Sequence, residues 1–219
     1  MLEICGITLW IRLYRQSVSI EGMLMRYPIE VLTRREVKDL LGACGKEKWT
    51  DRRNSALIMV LYRSGLRLSE ALALRPCDVE LERGAVRVLH GKGGRARTVG
   101  IDPMGARNLR AWISEHRELG YSSGDRLFIT LSGRALTQGY LRRKLPELGR
   151  AAGIFKRVHA HGLRHTHAAE LRAEGVDISV INRQLGHASL LTTIRYLDHL
   201  EPGSVVQAIR ERGERICVI

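Results

Sequence analysis

The chain has 219 residues, 44% of them hydrophobic, with 36 Lys+Arg against 23 Asp+Glu for a formal net charge of +13. That length fits one domain, or one domain with a small appendage, and the apolar share suffices for a proper core. The cationic excess favours a polyanionic partner such as nucleic acid, while 5% aromatic residues argue against single-strand binding on base-stacking platforms.

In chain order, residues 1–26 mix apolar residues with Arg12, Arg15 and Arg26 and show no clear period. The opening carries Glu3 and no basic leader, so it is a poor signal peptide. A boundary is expected near Pro28. Thr33-Arg34-Arg35-Glu36 is a capping-box pattern, which predicts a helix burying Val37, Leu40 and Leu41. Asp51 is expected to cap a second helix through Leu57, Ile58, Val60 and Leu61, with Gly65 as its stop. Leu68 to Leu74 reads as a short helix ended by Pro76.

Residues 84–101 change character. Val86 and Val88 alternate with Arg87, then come Gly91-Lys92-Gly93-Gly94 and Thr98, Val99 and Ile101. This predicts a β-hairpin with a glycine-rich tip. A helix follows Pro103 to about Gly120, Leu127–Thr130 is a short extended piece, and Thr137 caps a helix to about Ala152. His161 to Glu174 reads as a helix stopped by Gly175, and Asp177 caps the next. Leu190 to Leu200 is helical, Pro202-Gly203 breaks it, and Ser204 to Arg212 forms a last short helix. The fold class is mainly α with a small antiparallel β-sheet (α+β).

Four motifs carry chemistry. Arg67 stands in Ser64-Gly65-Leu66-Arg67-Leu68-Ser69-Glu70 at a helix-to-helix corner. Glu70, three residues on, shares its helical face and can orient it; a local surface ion pair is the bland alternative. His161 and Arg164 share a face in His161-Gly162-Leu163-Arg164-His165, and a guanidinium fork suits a phosphate bidentately. His161 and His165, at i and i+4, also have the spacing of two metal ligands, but no HExxH accompanies them. His187 follows Leu185-Gly186, and Tyr196 lies nine positions later; alone, these read equally as a helix-end histidine and a core aromatic. Lys92 at the hairpin tip belongs to no Walker A loop, since the GxxxxGK[ST] spacing is absent. It reads as an exposed turn lysine or as a mobile general acid. Cys5, Cys44, Cys77 and Cys217 form no CxxC pair or zinc pattern and fit a reducing cytoplasm. No stretch approaches the ~20 apolar residues of a membrane span.

Taken in order, Arg67, Lys92, His161, Arg164, His187 and Tyr196 resemble the active-site set of the tyrosine recombinases, also called the phage integrase family. The resemblance covers about residues 28–202. It implies a helical catalytic domain with a small three-stranded sheet, double-stranded DNA as substrate, and neither metal nor nucleotide cofactor. It implies attack by Tyr196 on a scissile phosphate to give a 3′-phosphotyrosyl link. Arg67, Arg164 and His187 would hold the phosphate, His161 would act as base or hydrogen-bond donor, Lys92 would serve the leaving oxygen, and Glu70 and His165 would support them. Keeping the bond energy in the covalent intermediate removes the need for ATP. A homotetramer on DNA, a cytoplasmic nucleoid-associated location and an accessory DNA-binding factor are further expectations. Only 27 residues precede Pro28, where family members carry a helical core-binding domain. Residues 1–27 are therefore read as an extension, and residues 203–219 as a tail helix docking on a neighbouring protomer. A non-catalytic DNA-binding or regulatory remnant is the rival reading.

Overall fold

The structure is a computed structural model, and it describes residues 31–89 and 96–200, with side chains to residue 197. Helix α1 (Arg34–Ala43) starts at the expected capping box: the Thr33 hydroxyl accepts from the Glu36 amide, and the Glu36 carboxylate accepts from the Thr33 amide. Helix α2 (Trp49–Ser64) starts earlier than expected. Its N-cap is Lys48, and Asp51 sits one turn in, accepting the Lys48 amide at 3.1 Å. A carboxylate three residues inside a helix still satisfies an orphan donor and favours the positive dipole end, so sequence alone places the start wrongly. Helix α3 (Leu68–Ala73) follows after Gly65 ends α2 in the left-handed region.

The sheet has three antiparallel strands in the order β1 (Val79–Glu80), β2 (Ala85–Val88), β3 (Arg97–Gly100). Register runs from Ala85 opposite Gly100 to Val88 opposite Arg97, so β2 and β3 converge on the predicted hairpin. The tip with Lys92, the leading segment to residue 30 and the tail from residue 201 lie outside the described residues. β1 was not legible as a strand because two residues show no alternation. The expected extended piece at 127–130 is reduced to one bridge, Ile129 with Ala135.

The remaining elements are helical: α4 (Pro103–Glu118), α5 (Gln138–Ala151), α6 (Ala160–Ala173), α7 (Ile178–Leu185) and α8 (Leu190–Leu200). Helix α2 is the central post, packed against both α4 and α6. Its Leu57, Ile58, Val60 and Leu61 are fully buried. Two further helices make the site: α7 leans on β3 and α6, and α8 on α6 and α7. Trp112 anchors the far side of the core. It is 2% exposed, stacks on Trp49 at 6.2 Å and donates its indole N–H to the Leu127 carbonyl at 2.9 Å. Among the described residues, no helix is long and apolar enough to cross a membrane.

Trp112→Ala opens a cavity and orphans that carbonyl, so it should cost about 3–5 kcal/mol. The check is urea unfolding followed by circular dichroism; an unchanged midpoint would mean that the core does not rest on this indole.

Candidate active site

Arg67 is the N-cap residue of α3, in extended backbone at the corner that Gly65 creates. Its amide donates to Glu70 Oε2 at 2.9 Å, and its guanidinium donates to Glu70 Oε1 at 2.9 Å and to the Gly186 carbonyl at 3.1 Å. The capping that starts the helix thus also aims the arginine. Glu70 is nearly solvent-free, and a second guanidinium grips it: Arg97 of β3 donates Nη1 and Nη2 to its two oxygens at 2.8 and 2.9 Å. Burial alone would raise the Glu70 pKa, but Arg97 and the Arg67 amide outweigh it and hold the carboxyl at about 2.

Arg164 of α6 is 1% exposed. Its guanidinium donates Nη1 to the Gly65 carbonyl at 2.5 Å and Nη2 to the Leu185 carbonyl at 2.6 Å and to His187 Nε2 at 3.2 Å. Burial, then the nearby Arg67, lowers its pKa to about 10, so it stays cationic at neutral pH. Among the described residues no carboxylate pairs with it. Both carbonyls lie at helix C-termini, where the dipole favours a cation. The glycines that end these helices are required twice over. Gly65 (φ +61) and Gly186 (φ +63) take the left-handed conformation, and a Cβ would meet His167 at 2.5 Å in the first case and the Arg97 guanidinium at 2.5 Å in the second.

The histidines crowd the same spot. His161 keeps an exposed edge; burial of the rest of its ring, then Arg164, lowers its pKa. His165 is buried, and burial followed by His161 lowers its pKa to about 3. Its ring stacks on Tyr196 at 4.8 Å between centroids and 23° between planes, and edges His161 at 4.3 Å. His187 meets the Tyr196 ring in a T-shape at 5.4 Å. Burial, then Arg164, lowers its pKa to about 4. The Tyr196 hydroxyl is buried with no hydrogen-bond partner among the described residues. Burial raises its pKa, and the Arg164 guanidinium opposes the rise.

Seven of the eight residues singled out by sequence therefore meet in one place: Arg67, Glu70, His161, Arg164, His165, His187 and Tyr196. Lys92, the eighth, lies outside the described residues. His165 joins the cluster through its stacking on Tyr196. Among the described residues, no group of three or more His, Cys, Asp and Glu is placed to hold a metal ion. Sequence reading passed over Arg97, Gln184, Thr193 and Asn182. The Gln184 carboxamide ties the ends of three elements, donating to the Ser64 and Gly100 carbonyls at 3.0 and 2.8 Å and accepting the Gly100 amide at 2.9 Å. Its one sequence signal was adjacency to Leu185-Gly186-His187.

A helical domain with a three-stranded sheet thus gathers two arginines, three histidines and a half-buried tyrosine into one cluster. The chain belongs to the phage integrase family, whose model matches residues 30–202. It is 37% identical over 165 residues to the tyrosine recombinase XerC of Xanthomonas campestris pv. campestris, covering 74% of this chain and 50% of that protein. It is 34% identical over 169 residues to the tyrosine recombinase XerD of Ralstonia nicotianae, covering 76% and 55%. The chain thus spans about half the length of these curated relatives. Among solved structures, XerA recombinase superposes with a TM-score of 0.70 at 30% identity, covering 82% of this chain and 65% of that one. The XerH site-specific recombinase bound to its palindromic difH substrate superposes with a TM-score of 0.69 at 31% identity, covering 83% and 53%.

The depressed pKa of Glu70 generates a stability prediction. A carboxyl held at about 2 against an ordinary 4.5 lends stability that is complete above pH 4.5 and is lost as pH falls toward 2. Glu70→Gln should therefore be clearly less stable than the parent at pH 6, and the gap should shrink below pH 4.5. Urea unfolding at pH 6 and at pH 3 checks this; a gap independent of pH would show that Glu70 acts through shape alone.

Proposed function

We propose that the chain is the DNA-breaking and rejoining part of a site-specific recombinase or integrase acting on double-stranded DNA. The observation that carries the reading is the buried Arg164 guanidinium, held by two helix-end carbonyls and His187, beside Arg67 and the Tyr196 ring. An unpaired buried cation is costly, and a phosphate is the anion that two converging guanidinium forks fit best. Support also comes from family membership, from the named activity of the XerC and XerD relatives, and from the XerH structure with its difH substrate. The formal charge of +13 suits contacts to a phosphate backbone.

In this reading the Tyr196 hydroxyl oxygen attacks the scissile phosphorus while its proton passes to a nearby base, with His161 in that role. The bond to the 5′-oxygen breaks, and Lys92 gives that oxygen its proton. The link formed is a 3′-phosphotyrosine, and a 5′-hydroxyl from a partner duplex reverses the step to exchange strands. Arg67 and Arg164, charged at physiological pH, neutralise charge growing on the nonbridging oxygens. No metal or nucleotide enters the scheme. The working assembly is proposed to be a homotetramer on DNA at the cytoplasmic nucleoid, with residues 203–219 docking on a neighbour. The other side of the DNA clamp would come from another segment or an accessory factor.

Two experiments test the reading. Tyr196→Phe should abolish covalent attachment to nicked DNA on a denaturing gel while leaving circular dichroism and DNA retention unchanged; an adduct persisting in the variant would sink the nucleophile assignment. Lys92→Ala should slow cleavage by about a hundredfold on ordinary DNA, within the usual range for a general acid. It should be nearly silent when the bridging 5′-oxygen is replaced by sulfur, because a thiolate leaves without a proton. Equal slowing on both substrates would assign Lys92 another role.

A further inference from the structure

The polarity of the hydrogen bonds around His187 is fixed from one end. Arginine has donors and no acceptor, so the 3.2 Å contact between Arg164 Nη2 and His187 Nε2 requires a lone pair on Nε2. The neutral ring then carries its proton on Nδ1. Nδ1 lies 2.8 Å from the Thr193 hydroxyl, which must therefore accept. The hydroxyl's own hydrogen goes to Asn182 Oδ1 at 2.7 Å. Reversing any one bond would set two donors or two lone pairs against each other, so the chain from Arg164 to Asn182 runs in a single direction. Thr193 is fully buried and stands one helical turn before Tyr196, while Asn182 stands on α7. The relay thus reaches His187 from two helices, neither of which carries Arg164.

We propose that Thr193 and Asn182 are positioning residues that hold His187 in its Nδ1–H tautomer, with Nε2 turned to Arg164 at the place where the phosphate would sit. This rests on the recombinase reading given above. A lone pair facing an anionic oxygen repels it. To hold a nonbridging oxygen, Nε2 must give up its bond from Arg164 and take one proton from solvent, giving an imidazolium with N–H on both sides, while Arg164 Nη2 keeps the Leu185 carbonyl. Thr193 already accepts from Nδ1 and keeps that imidazolium aimed. His187 is therefore neutral in the free protein and becomes a cationic donor when the phosphate arrives. A threonine that merely filled space would set no tautomer. Fixing the tautomer of a ring through its second nitrogen is how histidines are commonly oriented for chemistry.

The test uses the full chain labelled with 15N-histidine, with the His187 signals assigned by their loss in His187→Gln. Long-range proton–nitrogen spectra at neutral pH should show Nδ1 protonated and Nε2 bare. Thr193→Val should mix the tautomers and lower adduct formation on nicked DNA by about tenfold, the lower end of what loss of an orienting partner costs. Thr193→Ser and Asn182→Asp, which keep the hydroxyl and the acceptor, should restore the single tautomer. Thr193→Ser should also restore the adduct. A proton on Nε2 in the parent, or a Thr193→Val variant with parental tautomer and parental cleavage, overturns the proposal. A mixed tautomer with undiminished cleavage overturns its catalytic part. A parent chain that forms no adduct at all overturns the recombinase reading, whatever the spectra show.

Discussion

The burial of Arg164 is the constraint on which the rest of the site depends. A guanidinium taken from water needs its donors satisfied and its charge offset. Here the donors go to the Gly65 and Leu185 carbonyls and to His187. Those carbonyls are available because two helices stop where they do. Had α2 or α7 continued, each carbonyl would have been turned along the helix toward an amide four residues on. The left-handed glycines stop the helices and bring their negative dipole ends to the cation. Arg67 uses the same device, since its third bond goes to the Gly186 carbonyl. Two helix ends therefore create the electrostatic floor of the site before any ligand is present.

The floor needs walls that hold it in register, and these come from chain-distant pairings. Gln184 clips the end of α7 to the end of α2 and to β3. Arg97 crosses from β3 to Glu70 and lies against Gly186. The strand pair that leads to Lys92 is thereby tied to the carboxylate that orients Arg67. Through this clamp the hairpin strand and the Arg67 guanidinium share one carboxylate. Thr193 ties the tyrosine-bearing helix to α7 in the same way.

Much of this was legible in the sequence, and the reason lies in the range of each signal. Helix starts at Thr33, Thr137 and Asp177 are local, because a side chain caps an amide two or three residues away,. The glycine stops are equally local. Seven of the eight chosen site residues converge because they sit at fixed distances from those local punctuation marks. Asp51 misled because a carboxylate at the third helical position resembles one at the cap. Arg97, Gln184 and Asn182 stayed hidden because their partners lie elsewhere in the chain: Arg97 looked like one more basic residue in a hairpin, and its partner Glu70 is 27 positions away. Two-residue β1 was invisible because pairing with β2 alone makes it a strand.

The charge balance of the pocket bears on the proposed reaction. Three guanidinium groups, on Arg67, Arg97 and Arg164, surround one carboxylate, on Glu70, which leaves an excess of two positive charges. The histidines do not add to it in the free protein, because burial lowers the pKa of His161, His165 and His187. A phosphodiester carries one negative charge and, with His187 protonated as it arrives, leaves positive charge in the pocket still unmatched. Under the proposed reaction, attack by a tyrosine oxygen brings a second negative charge onto the phosphorus oxygens. The pocket is then better matched to the pentavalent state than to the intact ester, which is the condition for lowering a barrier. The folded core bears the cost of holding that mismatch open in advance, through α2 and the buried helix ends around Arg164.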